Sequence, residues 1–342
     1  QFPVKRLLVI RLGALGDLIH MSPSLEAVKA AYPQMEIHLL TSPAYPALVG
    51  MMPAVDRVWI WDKRQGWAGL FQLASQLRSA GIDGVVNLHP SFKTWLLTQL
   101  LGSVKQAVYH KEKLRQKGQA QRAIPRRHAV ADFYEPFRRL LGLPLEAALM
   151  PRLSLAQVQE DPLKRPDEIY IGLIPGVGAK RSNRAWEPDA YTELMQTLLE
   201  HPNVRILLIG GPDEKALAAR LADSLKANQD RLENHCGVHD IPGTARLLTQ
   251  CDLVIGGDTG PMHLAAAVGS PLVGIYGPTA LNRTGPMAQT THQWMTPPES
   301  LACWPCELAE CPYTGESHLA CMKQIPVQSI LEASWVVLEK RV

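Results

Sequence analysis

The sequence predicts an α/β protein in which one architecture, a parallel sheet with helices on both faces, is used twice. Short aliphatic and β-branched runs alternate with longer stretches of helical spacing, the pattern of strands joined by crossover helices. The alternation comes in two series separated by a proline-rich stretch, and runs in both series end on glycine-bearing turns. A chain of 342 residues is comfortable for two domains, each with its own core.

In the first series, residues 7–10, 36–40, 58–61, 85–88 and 107–109 read as strands. Between them, 18–31, 69–80 and 92–101 carry helical spacing. In the second, 169–174, 204–209, 253–255 and 272–276 read as strands, and 189–200, 214–227, 243–250 and 262–268 as helices. Residues 144–166, with four prolines, are the linker candidate. The expected division is therefore a first domain at 1–155, a second at 166–325, and a closing amphipathic helix within 326–342 that packs back toward the first domain.

Composition excludes several classes. Hydrophobic residues at 46% and charged residues at 20% are ordinary for a globular protein, and a net charge of +3 argues against nucleic acid as a partner. The opening QFPVKRLLVIRLG has four apolar residues before Arg11, too short for a signal core, and no stretch approaches a membrane span. A cytoplasmic location with reduced thiols is the expectation.

The first strand runs into Arg11-Leu12-Gly13-Ala14-Leu15-Gly16-Asp17. Gly13 and Gly16 permit a sharp turn and close approach of a ligand to the main chain. The three-glycine dinucleotide fingerprint is incomplete, which counts against a nicotinamide-dependent oxidoreductase. Asp17 suits two roles, a helix cap or a base at the carboxyl ends of the strands, where open α/β sheets bind ligands.

The second half carries the stronger signal, GGDTGPMHLAAAVG at 256–269, between a buried strand and a helix with proline in its first turn. The Thr259 hydroxyl and the amides of Thr259 and Gly260 can point at a diphosphate, and His263 lies one turn further on. Alternatively, Asp258 caps the helix and His263 is a satisfied core histidine. Two further turns point the same way. Pro175–Arg184 offers amides with Lys180 and Arg184 to phosphate, and Gly210–Glu214 offers Glu214 to a ribose hydroxyl.

With these residues together, the chain resembles the bacterial ADP-heptose:lipopolysaccharide heptosyltransferases of glycosyltransferase family nine. The resemblance rests on RLGALGD at 11–17, the PG…RxW turn at 175–186, GGPDE at 210–214, DTGPMHLAAAVG at 258–269 and GPT…TGP at 277–286. It implies a GT-B fold: two Rossmann-like domains facing each other across a cleft, acceptor on the first and an ADP-sugar donor on the second. It makes Asp17 the catalytic base and Gly16 an acceptor-side residue. It places Thr259, Gly260 and His263 on the donor phosphates, Asp258 on the donor sugar, Arg184 and Lys180 on the diphosphate, and Glu214 on the ribose. The expected reaction is inverting transfer of heptose to a lipopolysaccharide inner core. No DxD triplet occurs in the sequence, so no cofactor is expected for catalysis. A nucleotide-sugar epimerase is the alternative.

On the acceptor side, His89 and Lys93 follow the strand at 85–88. Residues 111–127 carry Lys111, Lys113, Arg115, Lys117, Arg122, Arg126 and Arg127 against one acid, Glu112. Such a run is either a solvated face or a basic loop gripping an anionic lipid-linked saccharide and drawing the enzyme to the inner membrane surface. Finally, Cys303, Cys306, Cys311 and Cys321 give C-x2-C-x4-C-x9-C. This spacing suits either a structural zinc or iron ion, or four reduced thiols in a compact loop.

Overall fold

The computed structural model describes residues 4–110, 127–145, 149–156, 164–176 and 179–340, with backbone alone at 179–181. The chain divides into two units, one ending at Ser154 and the next beginning at Leu155, inside the proline-rich stretch.

The first unit holds β1 (Arg6–Ile10), α1 (Leu15–Ala31), β2 (Glu36–Thr41), α2 (Pro46–Val49) and β3 (Arg57–Ile60). It continues with α3 (Gly66–Ser79), β4 (Gly84–Asn87), α4 (Phe92–Leu100), β5 (Lys105–Val108) and α5 (Ala129–Leu141). Its five strands are parallel in the order β3-β2-β1-β4-β5. Leu7, Leu8, Val9 and Ile10 are all fully buried, as a central parallel strand covered on both faces requires. α3 buries Leu70, Leu73, Ala74 and Leu77, one stripe at helical spacing. α5 packs on α1 through a face made of Val130, Phe133, Tyr134 and Phe137. That helix carries Pro136 in its interior, which hides its period in the sequence.

The second unit begins with β6 (Ile169–Ile174), α6 (Pro188–Leu199), β7 (Val204–Leu208), α7 (Lys215–Ser224), β8 (Leu232–Asn234) and α8 (Ile241–Gln250). It continues with β9 (Leu253–Gly257), α9 (Gly260–Ala267), β10 (Leu272–Ile275), α10 (Leu281–Thr284), β11 (His292–Met295), α11 (Ala320–Lys323) and α12 (Val327–Glu339). Its six strands are parallel in the order β11-β10-β9-β6-β7-β8. α12 belongs to this unit's own core. It contributes Ile330, Leu331 and Val337 and lies on α6 and the β9–β11 side of the sheet. An apolar face of this size is stable only when buried, and the second sheet buries it.

In both sheets the strand order reverses at a central pair, β1 beside β4 in the first unit and β6 beside β9 in the second. The turns after these strands are Gly13–Asp17, Leu88–His89, Pro175–Arg184 and Asp258–Gly260. Loops at such a switch point diverge to opposite faces and leave a crevice at the strands' carboxyl ends. Among the described residues, no helix is long and apolar enough to cross a membrane.

Close approach at this edge has one strict requirement. A Cβ on Gly256 would lie 2.9 Å from both Ile174 Cβ and Met262 Sδ, so β9 can carry α9 so near β6 only with glycine there. Gly256→Ala is expected to cost about 1–3 kcal/mol through overpacking, measured as a lower midpoint in urea unfolding. An unchanged midpoint would show that the contact yields freely.

Candidate active site

In the first unit, the β1–α1 turn is fixed by an arginine that the sequence reading passed over. Gly13 adopts φ +145°, open to glycine but not to other residues, and its Cα faces the Tyr45 ring. The chain then enters α1 with Asp17 in the first turn. Asp17 Oδ2 accepts from Arg11 Nη2, and the Ala14 amide approaches the same oxygen at 3.3 Å. Arg11 is held in turn by the Leu88 carbonyl, and its guanidinium lies 5.0 Å from the Phe133 ring centre. The side chain of Asp17 is 39% exposed and that of Arg11 only 11%. The carboxylate therefore faces the N-cap amide of α1 from the third helical position and remains partly exposed.

His89 joins this group. Its amide donates to Asn87 Oδ1 at 3.0 Å, and Lys63 Nζ stands 3.4 Å from its Nε2. Burial, then the charges of Lys63 and Arg11, lower its pKa to about 4, with Asp17 opposing. The ring is neutral at pH 7. Tyr45 is pushed upward by burial and then by the charge of Asp17. Gly16 occupies the second position of α1, partly exposed beside Asp17. Lys93, at the start of α4, lies 5.3 Å from the Trp67 ring centre on α3. Lys111, Lys113, Arg115, Arg122 and Arg126 lie outside the described residues.

In the second unit, β9 delivers Asp258, Thr259 and Gly260 to the start of α9, with Thr259 as the cap residue and Pro261 in the first turn. Asp258 is 6% exposed, and its Oδ2 receives both Arg184 Nη1 and the Thr279 hydroxyl. Here too the sequence reading missed partners: Thr279 lies in the GPT turn after β10, and Tyr276 just before it. Burial and then the charge of Asp258 raise the Tyr276 phenol well above its usual range, with Arg184 opposing. The Thr259 hydroxyl is buried and has no hydrogen-bond partner among the described residues. His263 is buried within α9, one turn on.

Glu214 accepts from the Gly211 amide at 2.8 Å, and its side chain lies directly against Gly176. The turns after β6 and β7 thus meet through a carboxylate and a glycine. The side chain of Lys180 lies outside the described residues. The structure gathers Arg184, Asp258, Thr259 and Gly260 around one helix start, with His263 one turn along that helix.

Cys303, Cys306, Cys311 and Cys321 line one pocket with Asn183 and Pro278. Among the described residues, however, no group of three or more His, Cys, Asp or Glu is arranged to hold a metal ion. Burial, reinforced by the neighbouring sulfurs, pushes the Cys321 thiol up to about 12, and the Leu319 amide donates to Cys311 Sγ at 3.4 Å.

The chain is similar to known proteins over most of its length. The family description glycosyltransferase family 9 (heptosyltransferase) matches residues 70–314. The chain belongs to that family and is a glycosyltransferase. It is 25% identical to the lipopolysaccharide core heptosyltransferase OpsX of Haemophilus influenzae over 82% of each chain. Two solved structures share its GT-B fold. One is the glycosyl transferase family 9 protein of Veillonella parvula, with TM-score 0.78, 20% identity and 99% of each chain covered. The other is E. coli ADP-heptose lps heptosyltransferase II, with TM-score 0.77, 20% identity, and 98% of this chain and 99% of that one covered.

Two outcomes follow from the geometry. Arg184→Gln leaves Asp258 buried without its cation and should destabilise the fold by about 3 kcal/mol or more, while Arg184→Lys should lose less; denaturant unfolding of the three proteins checks the ranking. His89 has its folded pKa depressed from 6.5 to about 4. Between those values the unfolded chain binds a proton that the folded one does not, so stability falls as pH drops through this window. His89→Gln should reduce that acid slope; an identical slope in both proteins would contradict the assignment.

Proposed function

We propose that this enzyme transfers heptose from ADP-heptose to the inner core of lipopolysaccharide with inversion, using Asp17 as base and no catalytic metal. One observation carries the reading: at the start of α9, on a switch-point turn, a buried threonine hydroxyl without a hydrogen-bond partner among the described residues lies beside an arginine–aspartate pair whose carboxylate is buried. Such a place has donors aimed at an anion and little else to satisfy them. The printed names of OpsX and of the E. coli structure supply the substrate class, a heptose donor and a lipopolysaccharide acceptor.

The roles follow the chemistry of each group. The diphosphate lies on the α9 N-terminus, accepting from the Thr259 hydroxyl and the Gly260 amide, with His263 one turn beyond. Arg184 bridges Asp258 and the phosphates, since a guanidinium presents five N–H donors in a rigid fork. Lys180 adds charge from the turn after β6, Asp258 also faces the donor sugar, and Glu214 accepts from ribose hydroxyls. On the acceptor side, Asp17 Oδ1 takes the proton as the acceptor oxygen attacks the anomeric carbon. The bond to the ADP oxygen breaks on the opposite face, and the developing charge is stabilised by Arg184 and the helix start. Arg11 holds the other carboxylate oxygen and so aims Oδ1. His89 and Gly16 line the acceptor side, His89 as a neutral hydrogen-bonding ring. Lys93 and the basic residues Lys111, Lys113, Arg115, Arg122 and Arg126 grip the anionic lipid-linked acceptor at the inner membrane surface.

Asp17→Asn should lower kcat by about two to four orders of magnitude, with donor affinity by calorimetry close to wild type; near-normal turnover would remove Asp17 from the chemistry. Release of ADP should depend strictly on acceptor, and turnover should survive a chelator. Acceptor-independent epimer formation, or complete loss of activity with EDTA, would overturn the reaction as written.

A further inference from the structure

The first unit exposes four large aromatic side chains on two adjacent helices. Trp67 and Phe71 lie one turn apart on α3 and are 49% and 52% exposed; Phe92 and Trp95 lie one turn apart on α4 and are 66% and 52% exposed. They form one continuous surface. The Trp67 and Phe92 rings are 6.3 Å apart at their centres, those of Phe92 and Trp95 are 5.7 Å apart, and α3 packs against α4. A cluster of exposed aromatics of this size marks a surface with a partner.

The charge around it identifies the partner. The cations beside it are Lys63, in the turn leading into α3, and Lys93, in the first turn of α4; Arg78, Lys105 and the acid Asp83 lie toward the amino ends of the strands. Asp83 lies at the opposite end of the sheet, before β4, where its carboxylate accepts from the Lys5 and Arg6 amides. The nearest acid, Asp62, is neutralised by Arg64 at 2.7 Å. Lys93 stands over Trp67. Tryptophan and phenylalanine flanked by Lys63 and Lys93, with the neighbouring Asp62 tied to Arg64, match the interfacial zone of an anionic bilayer. A second copy of this chain would bring the same cations against themselves.

We propose that the α3–α4 aromatic face inserts into the headgroup region of an anionic membrane and docks the first unit there. Its position is apt. Trp67 and Phe92 lie in the first turns of helices that leave the carboxyl ends of β3 and β4, the edge that carries Asp17 and His89. Lys63 joins the two, since it reaches His89 at 3.4 Å from the turn leading into α3. Docking therefore faces the acceptor side toward the lipid, a use that rests on the lipid-linked acceptor proposed above. The membrane contact itself does not depend on any sugar.

The test is co-sedimentation of the full-length protein with vesicles of phosphatidylcholine containing phosphatidylglycerol, and with phosphatidylcholine alone, without donor or acceptor. Binding should require the anionic lipid, weaken with salt, and fall by about tenfold or more in the double variant Trp67→Ser, Phe92→Ser. Both residues are exposed, so the variant's thermal midpoint should stay near wild type. It should also keep its turnover on a water-soluble truncated acceptor, which separates loss of docking from failure of the proposed reaction. Equal vesicle binding by the variant would overturn the proposal. So would absence of binding by the wild type, including the case where sedimentation equilibrium shows a dimer that the variant abolishes.

Discussion

The structure depends on bringing a carboxylate to the carboxyl end of a parallel strand and holding it there with an arginine. It does so twice. In the first unit Arg11 grips Asp17; in the second Arg184 grips Asp258. The two pairs differ in burial. Asp258 is almost fully enclosed and receives Thr279 as well, so its charge orients Arg184. The side chain of Asp17 is 39% exposed. A buried ion pair is a poor source of net stability, because desolvation offsets most of the attraction. Its value here is geometric, in fixing a guanidinium at the start of a helix.

The parallel sheets make these placements possible. Each has its switch point where the glycine turns occur, and the central strands below are largely apolar on both faces, which leaves their ends to carry the polar groups of the candidate site. Gly256 lets α9 start close against β6, and Gly176 lets the Glu214 side chain lie on the turn after β6. In both cases the missing Cβ is what lets backbone and functional group approach.

Much of this was legible in the sequence, and the remainder has physical reasons for being obscure. The central strands are continuous aliphatic runs, and the 258–269 turn combines small residues, a hydroxyl and a proline in a way few structural turns need. What escaped were elements with weak local signals. α5 contains Pro136, β8 has three residues, and β11 is partly exposed and reads His-Gln-Trp-Met. The site partners escaped for another reason. Arg11 lies within the motif that marks Asp17, but nothing in the spacing tells that its side chain folds back six residues along the chain. Thr279 comes to Asp258 from the next strand, a contact set only by sheet order.

Net charge also conceals what matters. A total of +3 suggests an indifferent surface, yet Lys63 and Lys93 flank the aromatic cluster, while Asp83 is tied to backbone amides at the far end of the sheet. Electrostatic attraction to an anionic surface falls off within about a Debye length, roughly 8 Å at physiological ionic strength, so a local excess of cations decides the orientation of approach while distant acids do not. Aromatic side chains then act only at contact. The two features work at different ranges on one face, and it is their coincidence above the Asp17 edge that gives the first unit a defined side to present to lipid.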